Sequence, residues 1–233
     1  MAETQAVQAV HAMHAHQFED MNQQHDVGTL GMWAFLATEI MFFGGLFLGY
    51  TVYRYMYLPS FEAGSRLLDV KLGAINTAVL LGSSLTMALA VRAAQTNKRK
   101  VLATFLVLTM ILGGVFLGIK FVEYSHKWEH HLVPGLHWSP DAEEVAQIQA
   151  LKPGAAVPQV ELYLCFYFFM TGMHALHMII GFGILTVMLV LSLRGRFSSE
   201  YYVPIEVTGL YWHFVDIIWI FLFPLLYLIG GRY

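Results

Sequence analysis

Five long apolar runs parted by polar links set the pattern of this 233-residue chain: about 28–57, 72–94, 101–124, 162–193 and 207–229. Crossing ~30 Å of hydrocarbon takes ~20 apolar residues in helical form, and each run is long enough. Backbone groups inside a bilayer must pair within their own segment. The pattern therefore predicts an all-α fold, a polytopic membrane bundle with five transmembrane helices. Residues 1–27 are polar, carry His11, His14, His16 and His25, and show no apolar periodicity, which predicts a flexible His-rich tail ahead of a membrane domain over 28–233. Pro59 and Gly64 mark a short loop between the first two spans. The third span follows the second after only TNKRKV, so these two form a hairpin. The longest link, 125–160, is expected to be an external loop. Within it, Ser139 as N-cap, Pro140 at the first position and the acids Asp141, Glu143 and Glu144 predict a short helix to about Leu151.

Composition narrows the class. With 57% hydrophobic and 12% charged residues, the chain cannot cover a soluble domain with an ordinary charged surface. Net charge is −3 and the one basic cluster is Lys98–Lys100, which argues against nucleic acid and reads as a membrane-surface anchor. Cys165 is the single cysteine and forms no internal disulfide. Residues 1–26 contain neither Lys or Arg nor an apolar signal core, so the first span is expected to direct insertion. Arg92, Lys98, Arg99, Lys100, Arg194 and Arg196 fall on one side of the membrane in short links. This predicts a cytoplasmic N-terminus and an external C-terminus.

Polar groups inside the spans are the candidate chemistry. Glu39 lies within the first run, and an acid at that depth costs at least ~2.5 kcal/mol unless it faces protein or a polar cleft. Asn76, Thr77, His174, His177, His213 and Asp216 come from three further spans and are expected to face one another. His174 and His177 are three residues apart on one helix, as are His213 and Asp216, a spacing that allows a bonded His–carboxylate pair. The small and hydroxylated residues of the second span, Gly82, Ser83, Ser84 and Thr86, read as a packing face. Lys120 and Glu123 are also three apart and are expected to pair at the membrane interface. His126, His130 and His131 resemble one histidine box, and Glu123-x-x-His126 has di-iron spacing. Each motif stands alone, without the second that such a centre needs, so no metal ligand is assigned. An independent di-iron membrane enzyme is kept only as an alternative. A transporter relaying protons through Glu39 would predict an internal repeat, and the spans share none.

The runs WAFLATEIMFF (33–43), INTAVLL (75–81), Glu123-Tyr124, TGMHALHMIIG (171–181) and Glu206 followed by YWHFVDIIW (211–219) resemble subunit III of haem–copper terminal oxidases, the cytochrome c oxidase type. The resemblance covers about 28–124 and 160–230. It implies an accessory subunit without cofactors of its own, packed against a catalytic subunit I, with haem and copper in partner subunits. Subunit II and a small subunit IV are further expected partners, and phospholipid an expected ligand. It also implies that Glu39, His174, His177, His213, Asp216, Asn76, Thr77, Glu123 and Glu206 form the buried proton-supporting set. Glu39, Trp33, Arg194 and Arg196 are the expected lipid contacts.

Two departures from the seven-helix members stand out: no spans precede the one holding Glu39, as in five-helix bacterial versions, and loop 125–160 is long. A bacterial plasma-membrane location follows from the resemblance. Glu39 with the Phe-Val-Asp run leans toward cytochrome c as the electron donor of the complex, with a quinol oxidase as the alternative.

Overall fold

A computed structural model describes residues 21–135, 138, 140–197 and 201–229. Seven α-helices follow one another: α1 Met21–Met56, α2 Leu58–Arg66, α3 Val70–Gln95, α4 Arg99–Glu129, α5 Ala142–Leu151, α6 Val157–Leu193 and α7 Val203–Phe223. A π-turn, Pro224–Leu228, ends the last span. No strand occurs among the described residues. Five helices are long and apolar enough to cross a membrane: α1, α3, α4, α6 and α7 continued through its π-turn. The protein is thus an all-α integral membrane bundle.

The central helix is α7. Of its most apolar stretch 56% is buried, against 17% for α1, which lies at the edge and leaves most of its surface to lipid or to other chains. Helices α1, α3 and α6 pack on α7, while α4 forms a hairpin with α3 and closes against α6. Trp212, Trp219, Phe116, Leu80 and Met87 fill the centre.

Local chemistry explains the ends. Asp69 caps α3 by accepting from the Lys71 and Leu72 amides at 2.8 and 3.3 Å. Helices α3, α4 and α6 each stop on a left-handed residue, Asn97, His131 and Gly195, with φ of 56°, 50° and 73°. Their last carbonyls are taken up by the Schellman bonds Lys98 N to Ala93 O, Leu132 N to Lys127 O and Arg196 N to Leu191 O. Thr96, Asn97 and Lys98 therefore suffice for the α3–α4 hairpin expected from the short link.

Several expectations change. The first helix already runs at Met21, so 21–27 is helical rather than tail; His11, His14 and His16 lie outside the described residues. The loop expected around Pro59 and Gly64 is helix α2. Proline occupies a first-turn position there, where its missing N–H costs nothing, and Gly64 is a contact point, not a breaker. A Cβ at Gly64 would lie 2.4 Å from Tyr163 Cδ1. Pro158 likewise starts α6 instead of ending a loop.

The long link between the third and fourth spans is shorter than expected, because α4 continues to Glu129 and α6 begins at Val157. Inside it α5 is capped by Asp141 with Glu144 completing the box; the expected cap Ser139 lies outside the described residues. Glu62–Lys152 (2.6 Å), Arg66 Nη1 to Leu151 O (2.8 Å) and His130–Glu144 (3.3 Å) tie α5 to α2 and α4.

Candidate functional site

The polar groups of the spans meet in three places rather than one. The first is the joint of α1, α6 and α7. Glu39 Oε2 lies 3.2 Å from His177 Nε2, and both side chains are largely covered. His177 Nδ1 is 2.8 Å from the Met173 carbonyl, which only accepts, so Nδ1 carries a proton and donates it. A hydrogen bond between Nε2 and the carboxylate then requires one further proton, held by either partner. The Phe43 ring stands edge-on to the imidazole at 5.5 Å, and Tyr211 Oη donates to the His177 carbonyl at 2.9 Å. This intramembrane acid therefore faces protein, as its cost demands.

The second place is the α3–α7 contact. Ser84 Oγ and His213 Nδ1 are 2.7 Å apart, Trp212 Nε1 donates to Ser83 Oγ at 2.7 Å, and Trp219 Nε1 donates to Thr77 Oγ1 at 3.1 Å. Thr86 and Thr109 hydroxyls bond at 2.7 Å between α3 and α4. The small hydroxylated face of α3 is a packing face, as its composition indicated.

The third place lies where α4, α6 and the π-turn converge. Lys120 Nζ is 2.8 Å from Glu123 Oε2 and donates to the hydroxyls of Tyr167 (3.1 Å) and Tyr227 (2.9 Å). The rings of Tyr124, Tyr167, Trp219 and Tyr227 surround the ammonium at 5.0 to 5.6 Å. Tyr227 Oη closes the network on Glu123 Oε1 at 2.7 Å. Pro224 has no N–H to give, and the helix widens there until Ile229 N reaches Pro224 O at 3.1 Å, which swings Tyr227 over the pair.

Three sequence expectations are corrected here. Lys120 and Glu123 pair inside the bundle, 4% and 6% exposed, and not at the interface. His213 bonds Ser84 instead of Asp216: the spacing puts both on one side of α7, but α3 packs there and brings the Ser84 hydroxyl within 2.7 Å of Nδ1. His174 and His177 likewise part because different helices meet them: His174 packs between the Phe116 and Trp219 rings while His177 turns to α1. His126, to which no metal is assigned, is exposed at the end of α4 beside His130, while Glu123 turns inward to Lys120 and Tyr227.

Asn76, His174 and Asp216 are buried; the polar atoms of Asn76 and His174 find no partner among the described residues, and Asp216 has only the Ser84 hydroxyl beside it. Glu206 is half-buried in the first turn of α7, and Arg194 and Arg196 are exposed after α6. Trp33 is exposed and lines an apolar groove of about 430 Å³ between α1 and α7, with Phe43, Phe214 and the edge of His213. Sequence reasoning missed the Tyr167–Tyr227 cage. Its one visible signal was a lone Lys three residues before a Glu near the end of an apolar run.

A family model for cytochrome c oxidase subunit III matches residues 11–129 and 157–231, all five spans included. The chain belongs to the cytochrome c oxidase subunit III family. Curated relatives of this family member include a protein named probable quinol oxidase subunit 3 from Staphylococcus haemolyticus (strain JCSC1435). It is 26% identical over 216 residues, covering 92% of this chain and 95% of the relative. A protein of the same name from Staphylococcus aureus (strain USA300) is 25% identical over 218 residues with the same coverage. The resemblance read from WAFLATEIMFF and YWHFVDIIW is thereby borne out, and subunit III membership implies a complex with other oxidase subunits. Cytochrome c as donor finds no support in the names of these relatives, which read probable quinol oxidase subunit 3.

Proposed function

We propose that this chain is a non-catalytic, cofactor-free subunit III that stabilises a haem–copper oxidase reducing oxygen to water. In this reading it packs against catalytic subunit I, which with other partners holds the haem and copper, and it supports proton uptake there. The observation that carries the reading is the Glu39–His177 pair, set on a family-matched bundle at the least covered of the five spans. The bond leaves the acid tied to α6, so its first service is to hold α1 in place. Ser84–His213, and the bonds of Lys120 and Glu123 to the Tyr167 and Tyr227 hydroxyls, serve other interhelical joints in the same way.

The relatives' names favour a quinol over cytochrome c as the electron donor of the complex. Subunit II, a small subunit IV and membrane phospholipid are the remaining partners in this reading. The apolar groove at Trp33 suits an acyl chain, and the exposed Arg194 and Arg196 suit its phosphate. A bacterial plasma membrane with the N-terminus cytoplasmic fits the basic links.

The test is purification from native membranes through a tag on this chain. Co-purification of a haem-bearing subunit, with oxygen uptake driven by a quinol and not by reduced cytochrome c, is the expected result. Recovery of the chain without any haem protein overturns the reading. Uptake driven by cytochrome c alone overturns the donor assignment and leaves the rest standing.

A further inference from the structure

Three side chains in the heart of the bundle are poorly partnered: Asn76 Oδ1 and Nδ2 and His174 Nδ1 and Nε2 reach nothing among the described residues, and the Asp216 carboxyl has only the Ser84 hydroxyl beside it, which also lies 2.7 Å from His213 Nδ1. They are 1%, 1% and 2% exposed and come from α3, α6 and α7. Proteins seldom bury such groups unpaired, and inside a membrane bundle bulk water offers no relief.

Their placement is ordered. Bonds from Ser84 to His213 and from Thr77 to Trp219 fix α3 and α7 antiparallel. Asp216 lies on α7 between those two bonds, beside Ser84, whose short bond runs to His213. Next along the bundle, Asn76 precedes Thr77, the acceptor of the Trp219 N–H, and His174 stacks at 5.2 Å on the same Trp219 ring. Beyond that ring, at 5.1 Å, comes Lys120 with Glu123 and Tyr227. Polar groups thus recur from His213 to Tyr227, along about 20 Å of helix at 1.5 Å per residue.

We propose that this α3–α6–α7 seam is a binding site for ordered water. One water joins Asn76 to His174 over Trp219, and another serves the Asp216 carboxyl. Water suits the set because it donates and accepts at once. An imidazole in either tautomer offers one donor and one acceptor, an amide offers both, and no single ion satisfies them together. With Lys120 and Glu123 at its end, the seam is a hydrated polar track inside a subunit whose proposed role does not require one.

Hydroxyl-radical labelling by short X-ray pulses tests this, because radicals form where water is. The full chain is labelled in native membranes, and oxidation of Trp219 is read against Met87, which is equally covered and lies in the α3–α7 contact beyond the His213 end of the polar stretch, beside Gly209. Trp219 is expected to oxidise several-fold faster than Met87, and Asn76→Leu is expected to slow Trp219 while leaving Met87 unchanged. Labelling of Trp219 no faster than Met87 overturns the proposal. So does an Asn76→Leu or Asp216→Leu variant that gains thermal stability with labelling unchanged, the mark of a dry seam. Oxidase membership is read separately from co-purified haem, so failure of either idea is distinguishable from failure of the other.

Discussion

Tyr227 Oη donates a 2.7 Å hydrogen bond to Glu123 Oε1, fastening the end of the last span to the third span inside the bundle. The bond exists because Pro224 opens the helix into a π-turn, and it completes the shell of an ammonium that would otherwise be stranded. Removing one member of a buried ion pair costs ~3–5 kcal/mol, whereas replacing both by apolar groups of similar volume is often tolerated. Lys120→Met and Glu123→Leu alone are each expected to release the subunit from its complex on native gels at lower temperature. The double variant is expected to be milder than the sum. Tyr227→Phe removes one bond and costs about 1 kcal/mol.

Gly64 touches the face of Tyr163, and that ring cannot step aside because its hydroxyl donates to Leu226 O at 2.8 Å. Gly64→Ala is an overpacking change worth ~1–3 kcal/mol. Thermal unfolding in detergent is expected to show the loss, with partial recovery when Tyr163→Leu is added. Equal loss in the single and double variants would rule out this contact as the cause.

Ser84 and His213 form one joint between α3 and α7. Ser84→Ala and His213→Ala are therefore expected to be non-additive by ~0.5–3 kcal/mol in a double-mutant cycle, the range for directly bonded residues. Coupling between His213 and Asp216 should be smaller than that between His213 and Ser84. A larger His213–Asp216 value would restore the intrahelical pair that their spacing alone suggests.

Glutamine at position 39 keeps a donor for His177 Nε2 but has no proton to release. Glu39→Gln is expected to assemble normally and to sustain steady-state oxygen reduction across the pH range. Glu39→Ala leaves the imidazole unpaired, costs ~1–3 kcal/mol and loosens α1. Loss of turnover by the Gln variant confined to alkaline pH would instead make Glu39 a proton relay.

The spans were legible because membrane burial writes itself as run length: all five match, and the α3–α4 hairpin follows from a link too short for anything else. Helix ends were less so. Lys120, Glu123 and Lys127 made α4 look finished near 124, yet all three are buried against protein and the helix runs on to Glu129. Partners within the site were the least legible part. Spacing places His174 and His177 on one helix, but only the packing of α1, α4 and α7 decides which neighbour each one meets. The cage around Lys120 depends on a backbone irregularity at Pro224 that no periodicity announces.

The first and last spans run side by side, so Tyr50 bonds Leu225 O, and Arg54 bonds Ile229 O, across 175 residues of chain. At 5–20 residues per second, a ribosome takes roughly 10–35 s to deliver those acceptors after the first span has emerged. Throughout that interval α1 sits in the bilayer with Arg54 lacking its carbonyl, and for most of it Glu39 lacks His177. A nascent chain cut short before α7 keeps an unanchored helix bearing a charged end, a lesion open to membrane proteases. A chain truncated before α7 is therefore expected to be degraded faster in its native membrane than the full chain, which a pulse-chase comparison checks.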